Sequence, residues 1–346
     1  MIVIYPGFDA YYYSFYIRGL IDRFGESNIR FSSRGFPKMP TEYLSLIVTG
    51  DRELRLIIDA YDGQISAHQH PAIDWCDVLA RVNLRTSVVS RQHLPKCLAI
   101  GPSFPIRVWS GGKSWATALK NYRPSIQGGY APSREYFANF FRQYKYRLGV
   151  DAYTPKVSMN NYIFFSSTIW TEEEAPRTNQ FRAVFMKCCK STTGITFEGG
   201  FTRLNEPWEK PYQDHMAPRR YPLSEWLEKI KNSAIAFNTP AVWQSHTFKL
   251  AEYLAMGKAI VSTPLINDMP APFVHGKHVH FIDGSEDSFR QAIGLITRDR
   301  SYRMHLEQNA RSYYDTYLAP PQVIQRVFDF ARQVTGGELS GKTVSR

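Results

Sequence analysis

Ala234-Ile-Ala-Phe-Asn-Thr-Pro-Ala-Val-Trp-Gln-Ser-His-Thr-Phe-Lys-Leu-Ala-Glu-Tyr-Leu-Ala-Met-Gly-Lys-Ala-Ile-Val-Ser-Thr-Pro264 holds the clearest fold signal in this chain of 346 residues. The apolar run that ends at Phe237 reads as a buried strand. A polar loop, Asn238 to His246, follows it. Thr247 to Met256 has helical spacing, with Phe248, Leu250, Ala251, Leu254 and Ala255 on the apolar side. Gly257 stops the helix, and Lys258 to Ser262 is the next strand, ended by Pro264. Ser245 or His246 stands just before the helix, where a hydroxyl caps free N–H groups. Ser245, Lys249 and Glu252 fall on one stripe, because residues three and four apart are helical neighbours. A hydroxyl, an ammonium and a carboxylate therefore share a side. A phosphate fits a helix start beside Lys249, and Glu252, further along, can accept hydrogen bonds from ribose hydroxyls.

The same alternation extends outward. Tyr162 to Ser166 reads as a strand, Thr178 to Ser191 as a helix and Thr196 to Phe197 as the start of a strand. His278 to Ile282 is a strand, and Ser285 to Thr297 and Ser301 to Tyr314 are helices. Pro320 and Pro321 open a last helix, Gln322 to Val334. Toward the N-terminus, strands are expected at Ile2 to Tyr5, Leu54 to Ala60, Val78 to Asn83 and Leu98 to Ile100. Helices are expected at Tyr11 to Phe24 and Ser133 to Leu148. Gly111 to Gly129 is rich in Gly, Ser and polar residues and reads as a loop; Val150 to Asn161 suits a linker.

Strands alternating with helices imply parallel sheets covered on both faces. The fold class expected is α/β: two Rossmann-like domains facing each other across a cleft, with ligands at the carboxyl ends of the strands. The expected division is residues 1–152, 153–320, a returning helix at 321–336 and a disordered tail at 337–346.

The formal charge is +11, and positive residues are spread along the chain without a dense basic block. That favours phosphorylated small molecules or an anionic membrane surface over nucleic acid. Four cysteines, two of them the adjacent Cys188 and Cys189, with no CxxC, fit free thiols in a reducing compartment. No apolar run approaches the ~20 residues that span a bilayer, and Met1 to Pro6 reads as a strand and not a signal peptide. A cytoplasmic protein is expected.

Thr247 to Val261 resembles the signature of GT-B glycosyltransferases of the "group 1" family, in which this helix ends in Glu-Ala-Met-Ala followed by Gly and an apolar strand. The resemblance spans roughly Tyr162 to Tyr317 and reaches the first half only in general layout. It implies transfer of a sugar from a UDP- or GDP-type nucleotide sugar to a carbohydrate or lipid-linked acceptor hydroxyl. It also implies that no bound metal or other cofactor is required. Among bacterial enzymes of this kind, those that build capsule or lipopolysaccharide are the nearest analogy. The family's second glutamate matches Glu252, which the resemblance places on the donor ribose. Its first, which contacts the donor sugar, falls on Gln244, where this chain carries no charge. The loop and helix after the strand Tyr162 to Ser166, with Thr168, Arg177 and Arg182, match the segment that supplies a cation to the pyrophosphate. The Ser245 to Thr247 backbone and Lys249 would hold phosphate, His246 would touch phosphate or sugar, and Asn238 and Thr239 would line the nucleotide pocket.

The N-terminal half, expected to take the acceptor, carries no specific motif. Asp9 follows the first strand, Asp59 and Asp62 close a strong one, and His68 and His70 come next. Asp9, Asp62 and His68 are the candidates for a general base, each competing with an ordinary role as a turn or surface residue. His68, His70, Asp74 and Cys76 match no common zinc spacing, so no metal site is expected. Gly111-Gly112-Lys113-Ser114 ends like a P-loop, but Arg107 stands where that motif needs its first Gly. Arg134 to Arg147 interleaves cations with Tyr and Phe, which suits either a core helix or a peripheral contact with an anionic membrane. Two rivals stay open: a GT-B epimerase or phosphorylase, and a non-catalytic binder of nucleotide sugars or polyanions, which the neutral Gln244 favours.

Overall fold

The computed structural model describes residues 1–50, 52–63, 65, 67–127 and 133–336. The tail at 337–346, expected to be disordered, lies outside them. Two compact units emerge: Met1–Val150 with Tyr317–Arg346, and Asp151–Thr316.

In the first unit the elements run β1 (Ile2–Ile4), α1 (Ser14–Phe24), β2 (Ile29–Phe31), β3 (Tyr43–Val48), β4 (Leu54–Asp59), α2 (His70–Trp75), β5 (Val78–Arg81), β6 (Cys97–Ala99), α3 (Gly111–Gln127) and α4 (Ser133–Lys145). The six strands form one sheet in the order β2-β1-β3-β4-β5-β6. It is not wholly parallel. β3 runs antiparallel to both neighbours, with Ile4 opposite Leu46 and Leu46 opposite Leu56. All six β3 residues, Tyr-Leu-Ser-Leu-Ile-Val, are buried, so this strand shows as a short continuous apolar run.

The loop expected at Gly111 to Gly129 is instead the helix α3, as far as the described residues run. Its glycines and Pro124 argue against a helix locally. Bonds from α4 hold it in place. The Tyr136 hydroxyl donates to the Ala118 carbonyl at 3.0 Å, the Ser114 hydroxyl to that of Phe140 at 2.9 Å, and the Gln143 amide to Ser114 Oγ at 2.9 Å.

The second unit runs β7 (Tyr162–Thr168), α5 (Thr178–Ser191), β8 (Thr196–Thr202), α6 (Leu223–Asn232), β9 (Ala236–Asn238), α7 (Phe248–Ala255), β10 (Ile260–Ser262), β11 (His280–Phe281), α8 (Glu286–Arg298) and α9 (Arg300–Tyr313). β7 pairs with β8, and β10 lies between β9 and β11; every ladder is parallel. The Ala234 N–H donates to the Tyr162 carbonyl at 2.8 Å, which ties the β9 side to β7. Phe165, Phe185, Phe237 and Phe289 form the centre of its core, with Phe185 stacked on Phe237 at 4.7 Å. Each such buried ring is worth about 1.5–3 kcal/mol in area alone.

α10 (Pro320–Thr335) then joins the first unit. It lies so close to α1 that a Cβ on Gly19 would come within 2.3 Å of the Pro320 carbonyl oxygen, so only glycine fits there. Phe24 and Phe328 meet at 4.7 Å. No helix among the described residues is long and apolar enough to cross a membrane.

Candidate functional site

β7 ends in two carbonyls that each hold a cation. Lys249 Nζ donates to the Ser166 carbonyl and lies 5.6 Å from the centre of the Phe165 ring. Arg182, on α5, donates from Nη1 to the Thr168 carbonyl at 2.9 Å and is only 5% exposed. Burial, the neighbouring Arg182 and, in opposition, Glu252 bring the Lys249 ammonium down to about 7. Burial lowers the Arg182 guanidinium to about 10. Glu252, one turn after Lys249 on α7, is 4% exposed. Two cations and one acid thus share a desolvated space at the carboxyl edge of a strand, where charges cost most unless paired. At neutral pH the positive side is in excess.

Tyr253 belongs to the same group. Its ring stacks on Trp226 at 6.3 Å, and its buried hydroxyl has no hydrogen-bond partner among the described residues. Burial, Glu252 and Arg182 all act on it, and the phenol is pushed well above its ordinary range. Sequence reasoning passed over Tyr253; its place beside Glu252, on the helix that also carries Lys249, was the available signal.

The helix start differs in detail from expectation. Thr247 is the N-cap, not Ser245 or His246: its hydroxyl oxygen accepts from the Leu250 N–H at 3.0 Å. That hydroxyl donates to Asn238 Oδ1 at 2.7 Å, and Asn238 Nδ2 donates to Ser262 Oγ at 3.0 Å. Asn238 is therefore a brace between β9, β10 and the cap. Thr239 is buried beside it and accepts from the Thr263 hydroxyl at 3.0 Å. Ser245 is buried, and its hydroxyl donates back to the Val242 carbonyl at 2.7 Å. His246 is buried, hydrogen-bonds to the Asp268 backbone and is lowered by burial to about 4, so it is neutral at pH 7.

Gln244 and the preceding Trp243 are both exposed and both left-handed, with φ of 62° and 54°. Neither is glycine, and such a conformation costs about 1–2 kcal/mol per residue. The loop is held from outside: the Trp243 N–H donates to the Glu174 carbonyl at 2.8 Å, and Asn267 Nδ2 donates to the Gln244 carbonyl at 2.9 Å. An exposed indole thus stands on a loop whose backbone is braced.

Of the two arginines, Arg182 lies with Lys249 and Arg177 does not. Arg177 is exposed at the head of α5, with its guanidinium 4.8 Å from the centre of the Phe181 ring. Thr168 contributes its carbonyl to Arg182.

The N-terminal candidates are scattered. Asp9 caps the turn before α1: Oδ1 accepts from Tyr11 and Tyr12 N–H at 2.8 and 3.0 Å, and Oδ2 from Asn139 at 2.9 Å. Burial raises its carboxyl. Asp62 is exposed and accepts from Asn83 at 3.4 Å; His68 is exposed on a single turn before α2. Asp59 is fully buried with its Oδ2 3.3 Å from Nη1 of Arg81. His93 joins Asp74 at 2.8 Å, and Cys76 is a buried free thiol like the other three. Among the described residues no three His, Cys, Asp or Glu side chains are grouped to hold a metal.

No family model matches the chain, and no curated protein matches it. It is similar to the C-terminal domain of a glycosyl transferase group 1 family protein (LpcC) from Francisella tularensis, at 14% identity and a TM-score of 0.36, over 48% of this chain and 96% of that one. It is similar to a glycosyltransferase from Rickettsia africae at 9% identity and a TM-score of 0.44, over 81% of this chain and 69% of that one. It is also similar to Anabaena Alr3699/HepE, solved in complex with UDP-glucose, at 11% identity and a TM-score of 0.40, over 75% of this chain and 72% of that one. Each likeness is below a TM-score of 0.5, and the reading of the site therefore stands on its own residues.

Proposed function

We propose that the unit Asp151–Thr316 binds a nucleoside diphosphate sugar of the UDP or GDP type. The chain, a GT-B glycosyltransferase in this reading, passes the sugar to a carbohydrate or lipid-linked hydroxyl, in surface polysaccharide synthesis by analogy. The observation that carries it is the desolvated trio of Lys249, Arg182 and Glu252. Its excess positive charge suits a diphosphate, whose oxygens match an ammonium and a guanidinium. Glu252 supplies the acceptor oxygens that ribose hydroxyls need, and the Tyr253 hydroxyl has a bond to give. The two cations would offset charge on the leaving diphosphate, the task a divalent ion performs elsewhere. Asn238, Thr239 and the Ser245 to Thr247 segment would shape the nucleotide pocket. His246, being neutral, would hydrogen-bond to phosphate or sugar without adding charge. Trp243 offers a flat face to the sugar beside Gln244.

The acceptor would be taken by the N-terminal unit. Exposed Trp115, Leu119 and Phe141 on α3 and α4, together with Lys113 and Lys120, support a peripheral contact with an anionic membrane. The neutral Gln244 favours one second reading, a nucleotide-sugar binder without turnover.

Thermal shift of the full chain with UDP, GDP, CMP and their sugar conjugates tests the donor site. A UDP or GDP compound should raise the melting point, since a ligand bound only to the native state stabilises it. Glu252→Ala should abolish that rise. An unchanged rise removes Glu252 from the site. Product analysis with and without acceptor then separates transfer from epimerisation, hydrolysis and binding alone.

A further inference from the structure

Residues 263–279 connect β10 to β11, and they are held at both ends. Near the start Asn267 Nδ2 donates to the Gln244 carbonyl at 2.9 Å, and His246 hydrogen-bonds to the Asp268 backbone, which ties the connection to the loop before α7. In the middle the Tyr313 hydroxyl donates to the Ala271 carbonyl at 2.8 Å and accepts from the Ala271 N–H at 3.2 Å. Toward the end, residues 274–281 carry three of the nine histidines of the chain, and all three are engaged through Nδ1.

His278 Nδ1 accepts from the Val274 N–H at 3.0 Å, and His275 Nδ1 accepts from the Phe281 N–H at 3.0 Å. His280 Nδ1 and the Tyr302 hydroxyl share a hydrogen bond at 2.8 Å. The first two bonds fix the protonation state. A ring nitrogen that accepts from a backbone N–H carries no proton, whereas a protonated imidazole donates from both nitrogens. Protonating His275 or His278 therefore sets two donors face to face. Protonating His275 and His280 together puts two cations on rings whose centres are 4.8 Å apart. The strand that leans on these bonds is slight: β11 has two residues and lies at the edge of its sheet, paired with β10.

The surroundings disfavour added charge. Burial, Lys277 and His305 on α9 lower His278, and burial and His275 lower His280. The other neighbours are uncharged: Tyr302 and Tyr313 from α9, Val261 and Ser262 from β10, and Phe273, whose ring stacks on His278 at 5.8 Å. No carboxylate among the described residues acts on either imidazole. The folded chain thus binds these protons more weakly than the unfolded one. The segment loses stability as pH falls below the ordinary imidazole value of about 6.5.

We propose that residues 274–281 form an acid-sensitive latch: neutral His275 and His278 hold the turn and β11 closed, and their protonation frees the connection that braces residues 244–246. Resting on the proposed donor site, the latch confines nucleotide-sugar binding to near-neutral pH. Lys249 alone gives the opposite trend, since its ammonium form is the one that meets a diphosphate.

Hydrogen–deuterium exchange of the full chain tests the latch, at about pH 7.5 and about pH 5.5, corrected for the intrinsic pH dependence of exchange. Exchange over residues 274–281 should rise about tenfold at the lower pH, as two hydrogen bonds are lost. β7, which has no histidine, is the control and should not change. A chain with both His275→Asn and His278→Asn keeps an acceptor oxygen at each place that does not titrate, so its exchange should stay low at both pH values. His278→Phe keeps a ring against Phe273 without the acceptor, and should open the segment even at neutral pH. UDP-glucose should bind the parent chain about tenfold more weakly at the lower pH, and the double Asn chain with no such loss. Exchange that acid leaves unchanged, an Asn pair that opens in acid as the parent does, or a His278→Phe chain that stays closed at neutral pH would each overturn the latch. A segment that opens while UDP-glucose affinity holds would overturn its link to residues 244–246. Absence of UDP-glucose binding at either pH counts against the donor reading and leaves the exchange result standing.

Discussion

At the end of β7 two cations rest on backbone carbonyls, and Glu252 acts on one of them, Lys249; at the end of β5 Arg81 has a carboxylate of its own, Asp59, at 3.3 Å. Both clusters are desolvated, yet they pay for burial differently. Arg81 and Asp59 are matched one to one, at the paired ends of β5 and β4. Lys249 and Arg182 are matched by polar but uncharged oxygens, and Glu252 offsets only part of the burial of Lys249. The Lys249 proton is therefore loosely held, near 7, whereas burial raises the Asp59 carboxyl and the adjacent Arg81 offsets only part of that rise. An under-neutralised cluster is suited to receiving a charged ligand, and a neutralised one to positioning donors around a ligand.

Breaking the matched pair should have the largest effect. Asp59→Asn leaves the Arg81 charge buried and unpaired, and should cost about 3–5 kcal/mol in urea unfolding. The unmatched site should respond in the opposite sense. Lys249→Met should stabilise the unliganded chain, since a desolvated cation is removed, while weakening nucleotide binding by roughly 10- to 100-fold, the worth of one charge-assisted hydrogen bond. Destabilisation together with unchanged affinity would place Lys249 in the framework.

Acidity sharpens the same contrast. Lys249 and the buried Lys258 are both lowered from 10.5 to about 7. Below pH 7 folded and unfolded chains carry these charges alike, and the folded chain bears the full cost. Between 7 and 10.5 the unfolded chain binds more protons, so stability should rise with pH. Nucleotide affinity should fall over the same range, by up to tenfold per unit, because the diphosphate needs the protonated amine. Lys249→Met should flatten the affinity profile, and Lys258 should retain part of the stability slope. The smallest effect concerns the left-handed pair: Gln244→Gly should relieve strain of about 1–2 kcal/mol, less about 0.5–1 kcal/mol of glycine entropy. Differential scanning calorimetry should show a rise in melting point of a degree or two at most.

Much of the second unit is legible because its signals are local. α5 spans Thr178–Ser191 as its spacing indicates, and α7 is bounded by a polar loop and by Gly257 at φ 58°, where a Cβ would lie 3.1 Å from the Glu307 carbonyl. Glu252 falls on a recognisable helix for the same reason. What escaped is non-local. Thr247 becomes the cap because Asn238, nine residues earlier, holds its hydroxyl. Trp243 and Gln244 take positive φ because Glu174 and Asn267 hold their backbones, which no residue type announces. β3 is antiparallel through its pairings to β1 and β4, and α3 is helical through bonds from α4. Arg81 stands out only once Asp59 is beside it, across two strands.

The close crossing of α1 and α10 dictates an order of assembly. During translation the ribosome releases Asp151–Thr316 before it releases the helix that covers Gly19. At 5–20 residues per second the nascent N-terminal sheet stands for roughly ten to thirty seconds with one flank open. The sheet made before Asp151–Thr316 is thus completed after it, and a chaperone that shields α1 would act in that interval.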